Sequence, residues 1–149
     1  MDFRHFLIGG GSGKAEIEQN NIMAIASYIR KHTKKPIYAM CLPPENIEVL
    51  EEYKKNGINE ISFNIEIFNR KIARTTMPGK GKIPLKQYEN ALKKAVELWG
   101  SSGNVRSMLV LGMEPIEDFL DGVEWLSSKG VMPIISIFRP VTNISISEV

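Results

Sequence analysis

Cysteine is nearly missing from this sequence: Cys41 stands alone among 149 residues. A single thiol excludes a disulfide framework and any metal or iron-sulfur site needing several thiolates from this chain, and it favours a reducing, cytoplasmic setting. Histidine is almost as scarce. His5 and His32 share no HxxxH or HExxH spacing, so no metal site and no metal-assisted hydrolysis is expected. No GxSxG elbow occurs, and Ser12 and Ser107 lack His and acid partners in sequence. No apolar run approaches the roughly 18 residues of a membrane span, and the chain opens on the polar Asp2, Arg4 and His5. Excess charge of one sign is also missing. Lys and Arg number 19 against 17 Asp and Glu, which leaves no basic field for nucleic acid or a lipid surface. The expectation is a soluble, cytoplasmic protein whose partner is a small-molecule substrate, with neither nucleic acid nor membrane involved.

What is present suits one domain, residues 1–149, with 43% apolar residues to build its core. From Glu16 to Thr33, Ile22, Ile25, Ala26 and Ile29 recur at helical spacing. Glu16 and Glu18 at its start and Arg30 and Lys31 at its end suit the helix dipole. Pro43-Pro44 predicts the start of a second helix through Ile47, Leu50 and Tyr53 to Asn56-Gly57. A third runs from Pro84 to Trp99 on Leu85, Tyr88, Leu92 and Ala95, and a fourth carries Ile116, Phe119, Leu120, Val123 and Leu126 up to Gly130.

Strands are expected at Phe3 to Ile8, Ile37 to Leu42, Glu60 to Ile67, Val105 to Leu111 and Met132 to Phe138. Strict alternation of strands and helices predicts an α/β fold with a parallel sheet, either a flat doubly wound sheet or an incomplete TIM-type (β/α) barrel. Along Glu60 to Ile67 polar and apolar residues alternate, which puts Ser62, Asn64 and Glu66 on a face that meets something polar. That face is a barrel lumen in one architecture and a wet outer edge in the other. Between Asn69 and Ile83 the pattern lapses into a basic loop, Pro78-Gly79-Lys80-Gly81-Lys82, a conceivable holder of a carboxylate or phosphate.

The run Gly9-Gly10-Gly11-Ser12-Gly13-Lys14 fails as a Walker A loop, because Ile8 and Ala15 occupy the positions of its first Gly and its Ser or Thr. It fails as a dinucleotide fingerprint because Lys14 takes the place of the last Gly. What remains is bare backbone at a strand's C-terminal end, which a small ligand can approach closely.

Taken together, Gly9-Gly10-Gly11, Phe63-Asn64-Ile65-Glu66, Val105 to Glu114 and Ser136-Ile137-Phe138-Arg139-Pro140 resemble successive barrel strands of radical S-adenosylmethionine (radical SAM) proteins, nearest the biotin synthase-like group. The resemblance covers nearly the whole chain. It implies S-adenosylmethionine as cofactor, with the Gly9, Gly10 and Gly11 backbone at the amino group of its methionine part; Gly11 stands where the family's GGE-type motif is acidic. It further implies that Asn64 and Glu66 contact the ribose, and that Met108, Val110 and Gly112 lie in the strand motif packing on adenine. Taken alone, Val110 reads as an ordinary core valine.

The family's CxxxCxxC loop, which holds a four-iron four-sulfur cluster, has no counterpart here, and Cys41 reads as a small core residue. The resemblance therefore implies strands two to six of such a barrel: a core fragment, truncated or split, inactive alone, with catalytic residues unassigned. The alternatives are a non-catalytic small-molecule binding or interaction domain, or a fragment of a TIM-barrel lyase or isomerase with Glu66 as general base. Two apolar sheet edges, Phe3 to Ile8 and Met132 to Phe138, predict a homodimer or pairing with a missing N-terminal segment, unless the tail 141–149 with Ile144 and Ile146 covers one of them.

Overall fold

The computed structural model describes residues 3–10 and 15–140. Five strands form one sheet in the order of the chain, β1 (Phe6–Gly9), β2 (Ile37–Met40), β3 (Glu60–Ser62), β4 (Val105–Leu111) and β5 (Met132–Ile137), every neighbouring pair parallel. The helices are α1 (Ala15–His32), α2 (Val49–Lys55), α3 (Arg70–Thr76), α4 (Leu85–Trp99) and α5 (Ile116–Ser128), with a 3-10 turn at Lys80–Lys82.

Strand order settles the architecture. Parallel crossovers are right-handed, so a sheet that advances by one strand each time carries all its helices on one face, whereas a doubly wound sheet must reverse direction. This is the singly wound arrangement of a partial (β/α) barrel. Register shows the consequence residue by residue. Ile8, Ala39, Ile61 and Val105 stand side by side across four strands, and all are buried under the helices. The next row, Gly9, Met40, Ser62, Arg106 and Met132, faces the opposite, concave side. There Arg106 pairs with Glu60, its guanidinium lies 4.8 Å above the Tyr38 ring, and His5 Nδ1 stands 3.9 Å from Glu60 Oε1. The helix side is the core: Leu50, Tyr53, Phe63, Tyr88, Leu92, Phe119 and Leu126 join the strand residues in one cluster.

Several sequence-based boundaries move. β1 and β5 each shift or shorten by a residue or more, β2 ends at Met40, and α2 begins at Val49 instead of at the prolines. A 3-10-type turn leads into it: the Asn46 side chain accepts from Glu48 N, and Val49 N, Leu50 N and Glu51 N donate three residues back to the carbonyls of Asn46, Ile47 and Glu48. Ile25 faces solvent instead of the core, as do Ile116 and Leu120. Among the described residues β1 and β5 pair on one side only, and Ile135 and Ile137 are more than half exposed.

The segment read as a basic loop contains α3. Asn69 caps it, its Oδ1 accepting from Lys71 N at 3.0 Å and Ile72 N at 3.3 Å, while its Nδ2 donates to Asp118 at 2.7 Å. A helix this short depends on its cap. Asn69→Ala is expected to cost about 1–2 kcal/mol, read as a lowered urea midpoint; an unchanged midpoint would show that the cap is idle.

Candidate functional site

Beyond Ser62, β3 leaves regular pairing. Ser62 is level with Arg106, but Glu66 bridges Leu109, so one extra residue has been inserted on the β3 side. Glu66 absorbs the insertion with φ of 68°, a left-handed conformation uncommon for a residue with a side chain. Its N–H donates to Met108 O and its carbonyl accepts from Val110 N, both at 2.8 Å. Asn64 Oδ1 accepts from Met108 N at 3.2 Å, and its Nδ2 lies 3.1 Å from the Met40 sulfur, a weak acceptor. The bulge thus fastens the backbone and leaves the Asn64 and Glu66 side chains at the strands' C-terminal end.

They line a cavity of about 430 Å³. β1 contributes Gly10 just past its end, β2 contributes Met40, Cys41 and Leu42, and β4 contributes Met108. The remaining wall is 77–80, which follows α3. Sheet ends of this kind are where parallel α/β folds take ligands, and the size lies within the roughly 300–1,000 Å³ of small-molecule pockets. The walls are mostly apolar, with the Glu66 carboxylate and the Lys80 ammonium paired across them.

Arg70 fixes that wall. Its Nη1 donates to Ile67 O and its Nη2 to the carbonyls of Lys80, Gly81 and Ile83, between 2.8 and 3.3 Å, with the guanidinium 5.7 Å above the Tyr88 ring. Burial lowers the Arg70 pKa but leaves it charged, and burial raises the Tyr88 hydroxyl to about 12. Gly81 completes the fit, since a Cβ there would fall on the Ala73 carbonyl of α3. Glu114, just past β4, accepts from Phe68 N at 2.8 Å and Asn69 N at 2.6 Å and so anchors the start of the same segment.

Of the residues singled out from sequence, Gly10, Asn64, Glu66 and Met108 meet in this cavity. Gly9 lies in β1 opposite Met40 and does not line it. Val110 lies two residues along β4 from Met108, outside the lining. Gly112 turns the chain beyond β4 with φ of 95°, against Phe138 and away from the cavity. Gly11 lies outside the described residues.

Cys41 and Met77 were not anticipated there, whereas Pro78, Gly79 and Lys80 belong to the basic loop expected to hold a ligand anion. Glu18 sits on α1, where its charge reads only as a helix-dipole complement; in space it packs against Gly10 and accepts a hydrogen bond from the Leu42 backbone. Cys41 is buried, and burial raises its thiol pKa far above the usual value. A thiol so held is a poor metal ligand, and the described residues contain no group of three or more His, Cys, Asp or Glu placed to bind a metal. The donor set therefore does not fit an iron-sulfur cluster. No helix among the described residues is long and apolar enough to cross a membrane.

No protein-family model matches the chain. Over 106 residues, 70% of its length, it is 31% identical to a bacteriochlorophyllide c C-7(1)-hydroxylase of Chlorobaculum limnaeum, of which it spans 26%. Its fold is similar to that of HydG, a maturase of the FeFe-hydrogenase, with a TM-score of 0.66 at 19% identity, over 95% of this chain and 34% of that one. The chain thus spans about a quarter of the curated relative and a third of the solved one. The second likeness is one of fold, an α/β parallel sheet like part of the HydG barrel. The curated relative supports the radical SAM superfamily.

Proposed function

We propose that this chain is the S-adenosylmethionine-binding core of a radical SAM enzyme of the biotin synthase-like group, and that it binds the adenosyl part of the cofactor between Asn64, Glu66 and Met108. The observation that carries this reading is the meeting of Asn64 and Glu66 with Gly10 and Met108 in one cavity at the strand ends. A carboxylate accepts from two vicinal hydroxyls, the Asn64 amide offers a donor now spent on sulfur, and the thioether walls suit a flat aromatic base. The cluster would supply the electron that cleaves the cofactor's S–C5′ bond into methionine and a nucleoside radical; a single cysteine cannot hold it, so this chain by itself is catalytically silent. It works in the cytoplasm on a small-molecule substrate, paired with a second copy or with a further segment along its open strand edges.

Calorimetric titration with S-adenosylmethionine tests the reading. Measurable binding is expected, weakened about tenfold or more by Glu66→Ala and severalfold by Asn64→Ala. No binding by the parent chain, or binding that neither substitution weakens, would overturn it and leave a binding module for some other ligand. Sedimentation over a range of concentrations tests the pairing: a monomer throughout the micromolar range would remove the second-copy arrangement.

A further inference from the structure

The two polar side chains that meet the ligand in this reading are not equally free to do so. Asn64 Nδ2 lies on the Met40 sulfur, a weak acceptor that yields to a better one at little cost. Glu66 is held by a charge. The Lys80 ammonium donates to its Oε1, and no other donor among the described residues reaches that carboxylate. Both side chains line the cavity and are 26% and 27% exposed, so salt and water screen the pair only in part. Neither end yields by moving its backbone. The Glu66 N–H and carbonyl are bonded to β4, while the Lys80 carbonyl accepts from Arg70 Nη2 and Ile83 N, and Gly81 beside it abuts α3. The pair therefore opens only by rotation of the two side chains.

From this arrangement we infer that Lys80 is a specificity-determining residue, one that holds Glu66 Oε1 against the hydroxyl groups of a ligand. A vicinal diol meets a carboxylate best with one hydroxyl on each oxygen, as a guanidinium fork does. With Oε1 taken, the diol either displaces the ammonium or binds through Oε2 alone, and both routes subtract from its affinity. A neutral hydroxyl does not win this exchange by itself, because a charge-assisted hydrogen bond is about twice as strong as a neutral one. The contact thus excludes a bare sugar or small polyol. A ligand that also fills the apolar walls around Met40 and Met108 has further contacts to offset the loss. The inference rests on the proposed contact of Glu66 with the ligand's hydroxyls, and adds to it the selection of a nucleoside over its sugar.

Two probes separate this inference from the reading beneath it: adenosine, which carries the diol, and 2′,3′-dideoxyadenosine, which lacks it. In NMR titrations Lys80→Met, which keeps the length of the side chain and removes its charge, is expected to bind adenosine about threefold more tightly than the parent chain, the scale of a partly exposed ion pair. Its affinity for dideoxyadenosine should stay that of the parent. Lys80→Arg keeps a cation on Glu66 and should bind adenosine no more tightly than the parent does; Lys80→Gln repeats the comparison if Met impairs folding. Equal tightening for both probes would mean that the lysine only fills space, and would overturn the inference. So would an unchanged adenosine affinity, or a weaker one, the result for a lysine that supports Glu66. If neither the parent nor any variant binds either probe, the cofactor reading itself fails and the inference with it, a result distinct from the others.

Discussion

Replacing Arg70 with alanine should lower stability by about 2–4 kcal/mol, the largest loss expected from any single polar side chain on the cavity wall. Four carbonyl oxygens, on Ile67, Lys80, Gly81 and Ile83, take hydrogen bonds from this one guanidinium. Truncation removes all four bonds at once, leaving the Lys80 carbonyl only its bond from Ile83 N, and takes the cation from the Tyr88 ring. Water entering the gap recovers part of the loss, which keeps it below the sum of four separate bonds. Arg70→Lys should recover less than half, because an ammonium cannot reproduce the planar fork that spans carbonyls ten to thirteen residues away in sequence. Urea unfolding measures both variants. A loss under about 0.5 kcal/mol for alanine, the range of ordinary surface changes, would show that the wall stands without its clamp.

Gly81→Ala attacks the same wall by crowding it. The added methyl would meet Ala73 O and C and Arg74 N, all backbone of α3, so no side chain can swing aside to make room. Either the 3-10 turn lifts or α3 shifts, at a cost on the order of 2–4 kcal/mol and a melting midpoint lower by roughly 5–15 °C. If the turn lifts, Lys80 leaves Glu66. Because Arg70 and Gly81 support one loop, the double variant should lose less than the two single losses combined. Strict additivity would mean that clamp and close contact act on separate structures. Gly79→Ala is the control, as nothing lies within 4 Å of where its methyl would go.

Period-two alternation was enough to mark Asn64 and Glu66 as neighbours on a polar face, yet the geometry joining them is not that of a regular strand. A bulge between Ser62 and Glu66 shifts the register by one, and no repeat in the residue pattern signals an inserted residue. Whether the sheet is flat or curled depends on strand order, a property of the whole chain that one strand's alternation leaves open. α3 escaped because its seven residues are too few to show a helical stripe, although Asn69 at its start was a readable cap. Glu18 was visible only as a favourable charge in the first turn of α1. Its contact with Gly10 brings α1 against the end of β1, which local sequence does not encode. The grip of Arg70 on the turn at Gly81 is likewise a tertiary feature, even though both residues stood inside the segment marked out as irregular.

The left-handed backbone of Glu66 bears on how this position would drift under selection. A side chain held at φ of 68° costs on the order of 1–3 kcal/mol, and glycine or asparagine at that position would recover much of it. Its half-buried partner Lys80 offsets part of that cost. A library screened only for folding should therefore enrich glycine and asparagine at position 66, whereas one screened for ligand retention should keep glutamate. Divergence of the two populations at this codon would measure how much stability the chain forgoes to hold a carboxylate at the mouth of its cavity.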